Sequence, residues 1–365
     1  MNPVLILTNG PGELWDWARP VIKELKRRGR NVSLLLLPCQ FASGEERRVA
    51  ESLPLDELQG PTSLVKTLKN VLSMGKEAGA VLQLGGDLAW GRMAARAGRS
   101  PLLCYAYGKK KGMARCDRLF TAFPSMAEAM GAGAEVVGDL VRDSLGGAPG
   151  EMASGDKKTA LFFPGSRAAI REFAMPFLKE MLPLLRAEAP DWEFKIALSP
   201  FSPEDEGEKW REAGFASLPR DVALDGVSFA VTQPGTNTLE LMHRGIPFSV
   251  LVPFASVRNI PLSGLAGIVA SLPGAGPALK EFCLRRRGAR PGLLAWPNRI
   301  AGWMVAPELV GDFTPREAAE ALLVWLRDSP RRQTLGADLR QIAALAPGGG
   351  ASRIADEIER MAGRQ

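Results

Sequence analysis

The polar side chains best placed to do chemistry follow short apolar runs that end in Gly. In LFFPGSRAAI, Leu161 to Ile170, an apolar run meets Pro164, Gly165, Ser166 and Arg167 just before a helical pattern begins. Plain turn chemistry explains the Pro and the Gly. An anion site explains all four: Gly165 lets the backbone approach a phosphate, Ser166 caps the next helix and Arg167 pairs with the charge. In TQPGTNTLELMHRGIP, Thr232 to Pro247, Gly235 and Thr236 open a helix whose first amides suit a diphosphate. One turn along, the Glu240 carboxylate is placed to accept two ribose hydroxyls. His243, the only histidine, reads as a packed or surface residue rather than a catalyst.

Two further stretches carry acids. TNGPGELWDWARP, Thr8 to Pro20, places Asn9, Gly10 and Gly12 in an adaptable turn, with Glu13 and Asp16 on the helical turn after it. Acids there complement a helix dipole, or accept the hydroxyls of a sugar. In QLGGDLAW, Gly85 and Gly86 clear space beside Asp87. That residue is either a helix N-cap or a general base for an acceptor hydroxyl.

These loops need a scaffold that brings strand ends together. PVLILTNG, NVSLLLLP, AVLQLGGD, SPLLCYAYG, CDRLFTAFP and AEVVGD read as strands in the first half, and ELWDWARPVIKELKRRG as one helix ending at Gly29. After the Gly-rich, charged stretch Ser144 to Thr159 the pattern restarts with ALFFPGS, a helix from Ala168, then EFKIALSP, GVSFAVTQPGT and PFSVLVPF. Continuous apolar strands separated by helices indicate parallel sheets covered on both faces. The expected fold is therefore α/β, with two doubly wound Rossmann-like domains facing a cleft. Residues 1–150 form the acceptor-side domain and 151–335 the nucleotide-sugar domain, with an insertion at about 256–296. Helices over 336–365 pack back on the first domain. Thr314 before Pro315 marks a helix start. Ligands in such sheets sit beyond the carboxyl ends of strands, where all four loops lie.

Composition excludes several classes. No apolar run spans a bilayer, and one histidine with scattered cysteines leaves no soft metal site. Four cysteines, without a C-x-x-C pair or a signal peptide, read as reduced cytosolic thiols. A net charge of +6 favours anionic partners. Nucleic acid is disfavoured, because no recognition module or aromatic stacking run accompanies the charge.

LFFPGSR, PGTNTLELMHRGIP and PNRIAGWMVAPELVGDFTPREAAEALLVWLRD together resemble the lipid-A-disaccharide synthase family, whose members are inverting glycosyltransferases of the GT-B fold that use UDP-sugars. The resemblance is strongest over Leu161–Asp328 and fainter through the first half. It implies that Gly165, Ser166 and Arg167, with Gly235, Thr236, Asn237, Thr238 and Glu240, contact the donor's diphosphate and ribose. By the same likeness Asn298 lines the nucleotide cleft, and Asp87 is the match to the base. The acceptor half departs: NGPGELWD, YGKKKGMAR and the Gly138–Leu140 stretch GDL replace the family's motifs. The expected donor is thus a UDP-sugar, and the acceptor a lipid or glycolipid that need not be a lipid A precursor.

Within the insertion, apolar stretches precede Arg285, Arg286, Arg287 and Arg290. They read as a solvated basic flank, or as a membrane-facing segment that grips lipid phosphates. The second reading puts the protein in the cytoplasm, peripheral on the inner face of the membrane, with oligomers open. In the expected reaction Asp87, or else Glu13 or Asp16, takes the acceptor proton. Amides and Arg167 stabilise the leaving diphosphate, so neither metal nor cofactor is required. A sugar-nucleotide epimerase and a non-catalytic sugar-nucleotide sensor remain alternatives.

Overall fold

Runs of Val, Leu and Ile build the centre of each sheet. The strands β1 (Val4–Thr8), β2 (Val32–Leu36) and β4 (Ala80–Leu84) are buried at every residue, which only a parallel sheet with helices on both faces provides. The computed structural model describes residues 2–39, 42–131, 133–146, 158–254 and 292–362. Two units divide the chain: Met1–Ala148 with Ala344–Gln365, and Pro149–Ala343.

In the first unit β3 (Glu57–Gln59), β5 (Leu102–Tyr105), β6 (Arg118–Thr121) and β7 (Ala134–Val136) complete a seven-stranded parallel sheet ordered β3-β2-β1-β4-β5-β6-β7. Helices α1 (Arg19–Arg27), α2 (Glu46–Glu51), α3 (Leu64–Glu77), α4 (Leu88–Gly98), α5 (Pro124–Met130) and α6 (Leu140–Ser144) accompany the strands. Leu5, Leu7, Leu35 and Val81 of the sheet pack with Val71, Met74 and Ala94 of α3 and α4. The helix Gly350–Ala362 lies against α1 and α6. Arg28 fastens it, donating to Asp356 at 2.6 Å and to the Ser352 hydroxyl at 2.8 Å while Glu24 of α1 takes its Nε.

The second unit holds β8 (Lys158–Phe162), β9 (Trp192–Leu198), β10 (Ala216–Pro219), β11 (Phe229–Thr232), β12 (Phe248–Pro253) and β13 (Glu308–Gly311). They form a parallel sheet ordered β10-β9-β8-β11-β12-β13. Helices α7 (Ala168–Glu188), α8 (Glu206–Glu212), α9 (Arg220–Ala223) and α10 (Asn237–Arg244) lie between them, and helices Trp296–Ala301, Pro315–Arg327 and Ser329–Ala343 follow. Phe162, Leu182, Phe194, Trp210 and Phe229 centre its core. Thr314 and Glu317 exchange side-chain and backbone bonds in a capping box, which sets the start of the Pro315 helix.

Two local expectations are corrected. Strands β3, β10 and β13 extend the sheets beyond the apolar runs, at edges where side chains are only half-buried and the pattern fades. The single helix expected from Glu13 to Gly29 is a π-helix over Glu13–Ala18 followed by α1. Pro20 has no amide to bond back, and the chain widens just before it, with the Arg19 amide reaching the Leu14 carbonyl.

Candidate functional site

Each sheet reverses its strand order once, and the Gly-rich loops stand at those reversals. In the second unit the reversal lies between β8 and β11. Ligands of open α/β sheets collect at this position. The Pro164–Arg167 loop leaves β8 and the Gln233–Thr236 loop leaves β11, so Arg167 and the Gly235 turn share one sheet edge. Gly165 is required by geometry: its φ is +102°, and an added Cβ would stand 2.8 Å from Ile170 Cγ2. The capping role expected of Ser166 is corrected. Helix α7 starts after Arg167, whose carbonyl takes the Ile170 and Arg171 amides at 3.1 and 3.0 Å, with no side-chain cap.

Behind this loop stands a buried support. Arg171 donates from Nη1 to the Ser166 carbonyl at 2.5 Å, and its Nε meets Glu206 at 2.7 Å. Trp210 donates to the other oxygen of Glu206 at 3.2 Å. Phe163, Pro164, Phe173, Phe177 and Gln233 line a pocket beside the loop.

Thr236 and Asn237 are half-buried at the start of α10, where the Thr238 amide bonds back to the Gly235 carbonyl at 3.1 Å and the Leu239 amide to the Thr236 carbonyl at 3.0 Å. Thr238 is buried and faces inward. Its hydroxyl donates to the Gly235 carbonyl at 2.8 Å and accepts the Trp296 amide at 3.1 Å. Asn298 is fully buried and bridges its own loop: Nδ2 donates to the Ala306 carbonyl at 2.8 Å and Oδ1 accepts the Val305 and Ala306 amides, each at 2.8 Å. Glu308 takes the Leu294 and Ala295 amides and the Asn298 amide group. Thr238 and Asn298 therefore shape the loops with side chains already bonded to protein. Glu240 is 3% exposed and forms an ion pair with Arg220.

In the first unit the reversal falls between β1 and β4. Gly85 follows β4 with φ +104°, and a Cβ there would sit 2.7 Å from Asn9 Oδ1 and 2.9 Å from Glu13 Cγ. The carboxylate of Glu13 also covers Gly10. Asn9, Gly10, Glu13 and Gly85 are thus one cluster, and Gly12 begins the π-helix beside it. Asp87 is exposed and caps α4, accepting the Ala89 amide at 2.8 Å. Asp16 is 2% exposed within the π-helix, out of the loop surface.

Gln83 and Tyr107 at this edge have no role in the sequence expectations, and Lys110 belongs to the basic stretch YGKKKGMAR. Gln83 is fully buried; its amide donates to the Gly85 carbonyl at 2.5 Å, while Gln83 Oε1 and Asn9 Oδ1 have no hydrogen-bond partner among the described residues. Asn9 Oδ1 lies against the Gly85 loop, whereas Gln83 Oε1 is packed under α4, where a Cβ on Gly91 would stand 2.5 Å from it. The signal was a lone polar residue inside the apolar strand AVLQL. Lys110 Nζ donates to the Gly86 carbonyl at 3.2 Å. Tyr107, after β5, donates to fully buried Asp139, after β7, at 2.5 Å, and accepts from Trp17 Nε1 at 3.1 Å. Burial and the charge of Asp139 push both the Tyr105 and Tyr107 phenols well above their usual range.

Arg285, Arg286 and Arg287 lie outside the described residues. Among the described residues no group of three or more His, Cys, Asp or Glu side chains could hold a metal ion. No family model matches the sequence, and no curated protein matches it. Solved structures do match along the whole length. MurG from Acinetobacter baumannii is 18% identical with a TM-score of 0.57, covering 99% of this chain and 100% of that one. CalG4, the calicheamicin glycosyltransferase, is 14% identical with a TM-score of 0.51, covering 100% and 99%. The chain has the GT-B fold. UDP-GlcNAc 2-epimerase from Neisseria meningitidis, solved with UDP-GlcNAc bound, shares it at 13% identity and a TM-score of 0.54, covering 98% and 99%. In GT-B terms the chain supplies two α/β units, each with one reversal point and its own set of Gly-rich loops.

Proposed function

We propose that this protein is an inverting glycosyltransferase, a divergent relative of the lipid-A-disaccharide synthases. It moves a hexose of the N-acetylglucosamine type from a UDP-sugar to a lipid-linked or envelope glycan acceptor, working peripherally at the cytoplasmic face of the membrane. The observation that carries this reading is the shared reversal point of the Pro164–Arg167 and Gln233–Thr236 loops. Gly165 admits a phosphate, the first amides of α10 point positive charge at it and Arg167 supplies a permanent cation. Glu240, paired with Arg220, accepts the ribose hydroxyls.

On the acceptor side Asn9 Oδ1 accepts a hydrogen bond from a sugar hydroxyl, and Asp87 takes the proton of the attacking hydroxyl, with Glu13 as the other accessible acid. The acceptor oxygen forms a bond to the anomeric carbon as the bond to the diphosphate breaks. The electron pair leaves on UDP, and the configuration inverts. Charge developing on the diphosphate is met by Arg167 and the amides of Gly235 and Thr236.

The fold shared with a UDP-GlcNAc 2-epimerase favours a second reading, in which the same donor loops hold a UDP-sugar that is isomerised. Calorimetry with UDP- and GDP-sugars, followed by assay on lipid extracts, separates the two. Transfer releases UDP only with an acceptor, whereas an epimerase returns an isomeric UDP-sugar without one. Absence of UDP binding removes both.

A further inference from the structure

Helix α3 presents apolar residues on two faces. Its inner face, Thr67, Val71, Met74 and Gly75, is buried and packs against α4. On the outside Leu64, Val65, Leu68 and Leu72 are 66%, 68%, 40% and 41% exposed. Helical spacing gathers these four into an arc of about 100°. The other exposed large apolar residues among those described are the single residues Val222, Val324 and Leu345 and the neighbouring pair Trp303 and Met304, so α3 carries the one run of four. A contiguous stripe of this size marks a surface that is covered by something.

Charge identifies the cover. Lys66, Lys69 and Lys76 are exposed on the same helix, whose one acid, Glu77, is its last residue. Crossover helices run antiparallel to their strands, so the start of α3 stands at the carboxyl edge of the sheet, with the Gly85–Asp87 loop. The Lys109–Lys111 loop joins that edge through the bond from Lys110 to Gly86, and Lys109 and Lys111 are exposed. Leucines flanked by lysines are the pattern of a helix lying in the headgroup boundary of an anionic bilayer.

We propose that the outer face of α3 docks the protein on an anionic lipid bilayer. Leu64, Val65, Leu68 and Leu72 enter the acyl boundary, and Lys66, Lys69, Lys109 and Lys111 meet lipid phosphates. The contact deepens the lipid-acceptor reading and rests on it for its purpose, since it brings the acceptor-side loops to the membrane surface.

The test is sedimentation of the full chain with vesicles of phosphatidylcholine alone or of equal parts phosphatidylcholine and phosphatidylglycerol, free of donor and acceptor. Wild type is expected to sediment with the mixed vesicles only, less so as salt is raised. The double change Leu68→Gln and Leu72→Gln should lower partitioning about tenfold or more. Lys66→Gln with Lys69→Gln should lower it less and weaken the preference for phosphatidylglycerol. Melting and UDP binding should stay at wild-type values in both. The proposal is overturned if wild type does not sediment with the mixed vesicles, or if the leucine variant sediments as wild type does. It is also overturned if Arg285→Gln, Arg286→Gln and Arg287→Gln together abolish binding while the α3 variants retain it. A leucine variant that splits a wild-type dimer, with vesicle binding unchanged, would instead assign the face to a second copy. Loss of UDP binding with vesicle binding intact would fail the transferase reading and leave the docking face standing.

Discussion

Two reversal points, β8/β11 and β1/β4, share one topology and carry opposite chemistry. At β8/β11 the loop groups are donors or cations: the amides at the start of α10, Arg167, and Arg171 behind the loop. At β1/β4 they are acceptors and acids: Asn9, Glu13 and Asp87. The first set suits an anion and the second suits hydroxyls. A parallel sheet supplies the place, and short loops decide what it takes.

The sharpest way to break that contrast is at the acceptor acids. Asp87→Asn is expected to lower transfer into lipid extracts about 10²- to 10⁴-fold with UDP affinity nearly unchanged. Near-normal turnover would remove Asp87 from the mechanism, and an equal loss in Glu13→Gln would move the base to the β1 loop. Next comes the support of the anion loop. Arg171→Met leaves Glu206 buried without its cation, and urea denaturation should register a loss of about 3–5 kcal/mol. Replacing Glu206 with Met as well should recover much of it. A smaller effect is expected at the loop surface, where Arg167→Gln removes a charged hydrogen bond worth about 1.5–3 kcal/mol and should weaken UDP binding roughly ten- to a hundredfold by calorimetry.

The smallest effect separates the units by pH. The bond from Arg27 holds the Glu24 carboxyl at about 2, below its usual 4.5, with Arg28 adding to the shift. Its contribution is therefore present above pH 4.5 and is lost as pH falls toward 2. Hydrogen exchange should show the α1 contact with helix Gly350–Ala362 loosening across that window. A Glu24→Gln variant should flatten the change.

What was legible in the sequence was whatever burial dictated. β1, β2, β4 and β8 announce themselves because both faces are apolar, and Thr314 before Pro315 spells out a helix start. The edge strands β3, β10 and β13 were missed because half-exposed strands lose that signal. Strand-end loops could be collected because Gly marks them, but their partners could not. Nothing local pairs Arg171 with Glu206, 35 positions apart, or Tyr107 with Asp139, 32 apart. Ser166 read as a cap because its type fits, and helix α7 simply begins one residue later.

The strap formed by Arg28, Ser352, Asp356 and Glu359 sets an order of assembly. The unit that leaves the ribosome first is completed last, since residues 344–365 belong to it and the other unit is made in between. A nascent chain must hold α1 with its docking flank open while roughly the second half of the polypeptide is synthesised. Detaching the closing helix should therefore injure the earlier-made of the two units and spare the later-made one.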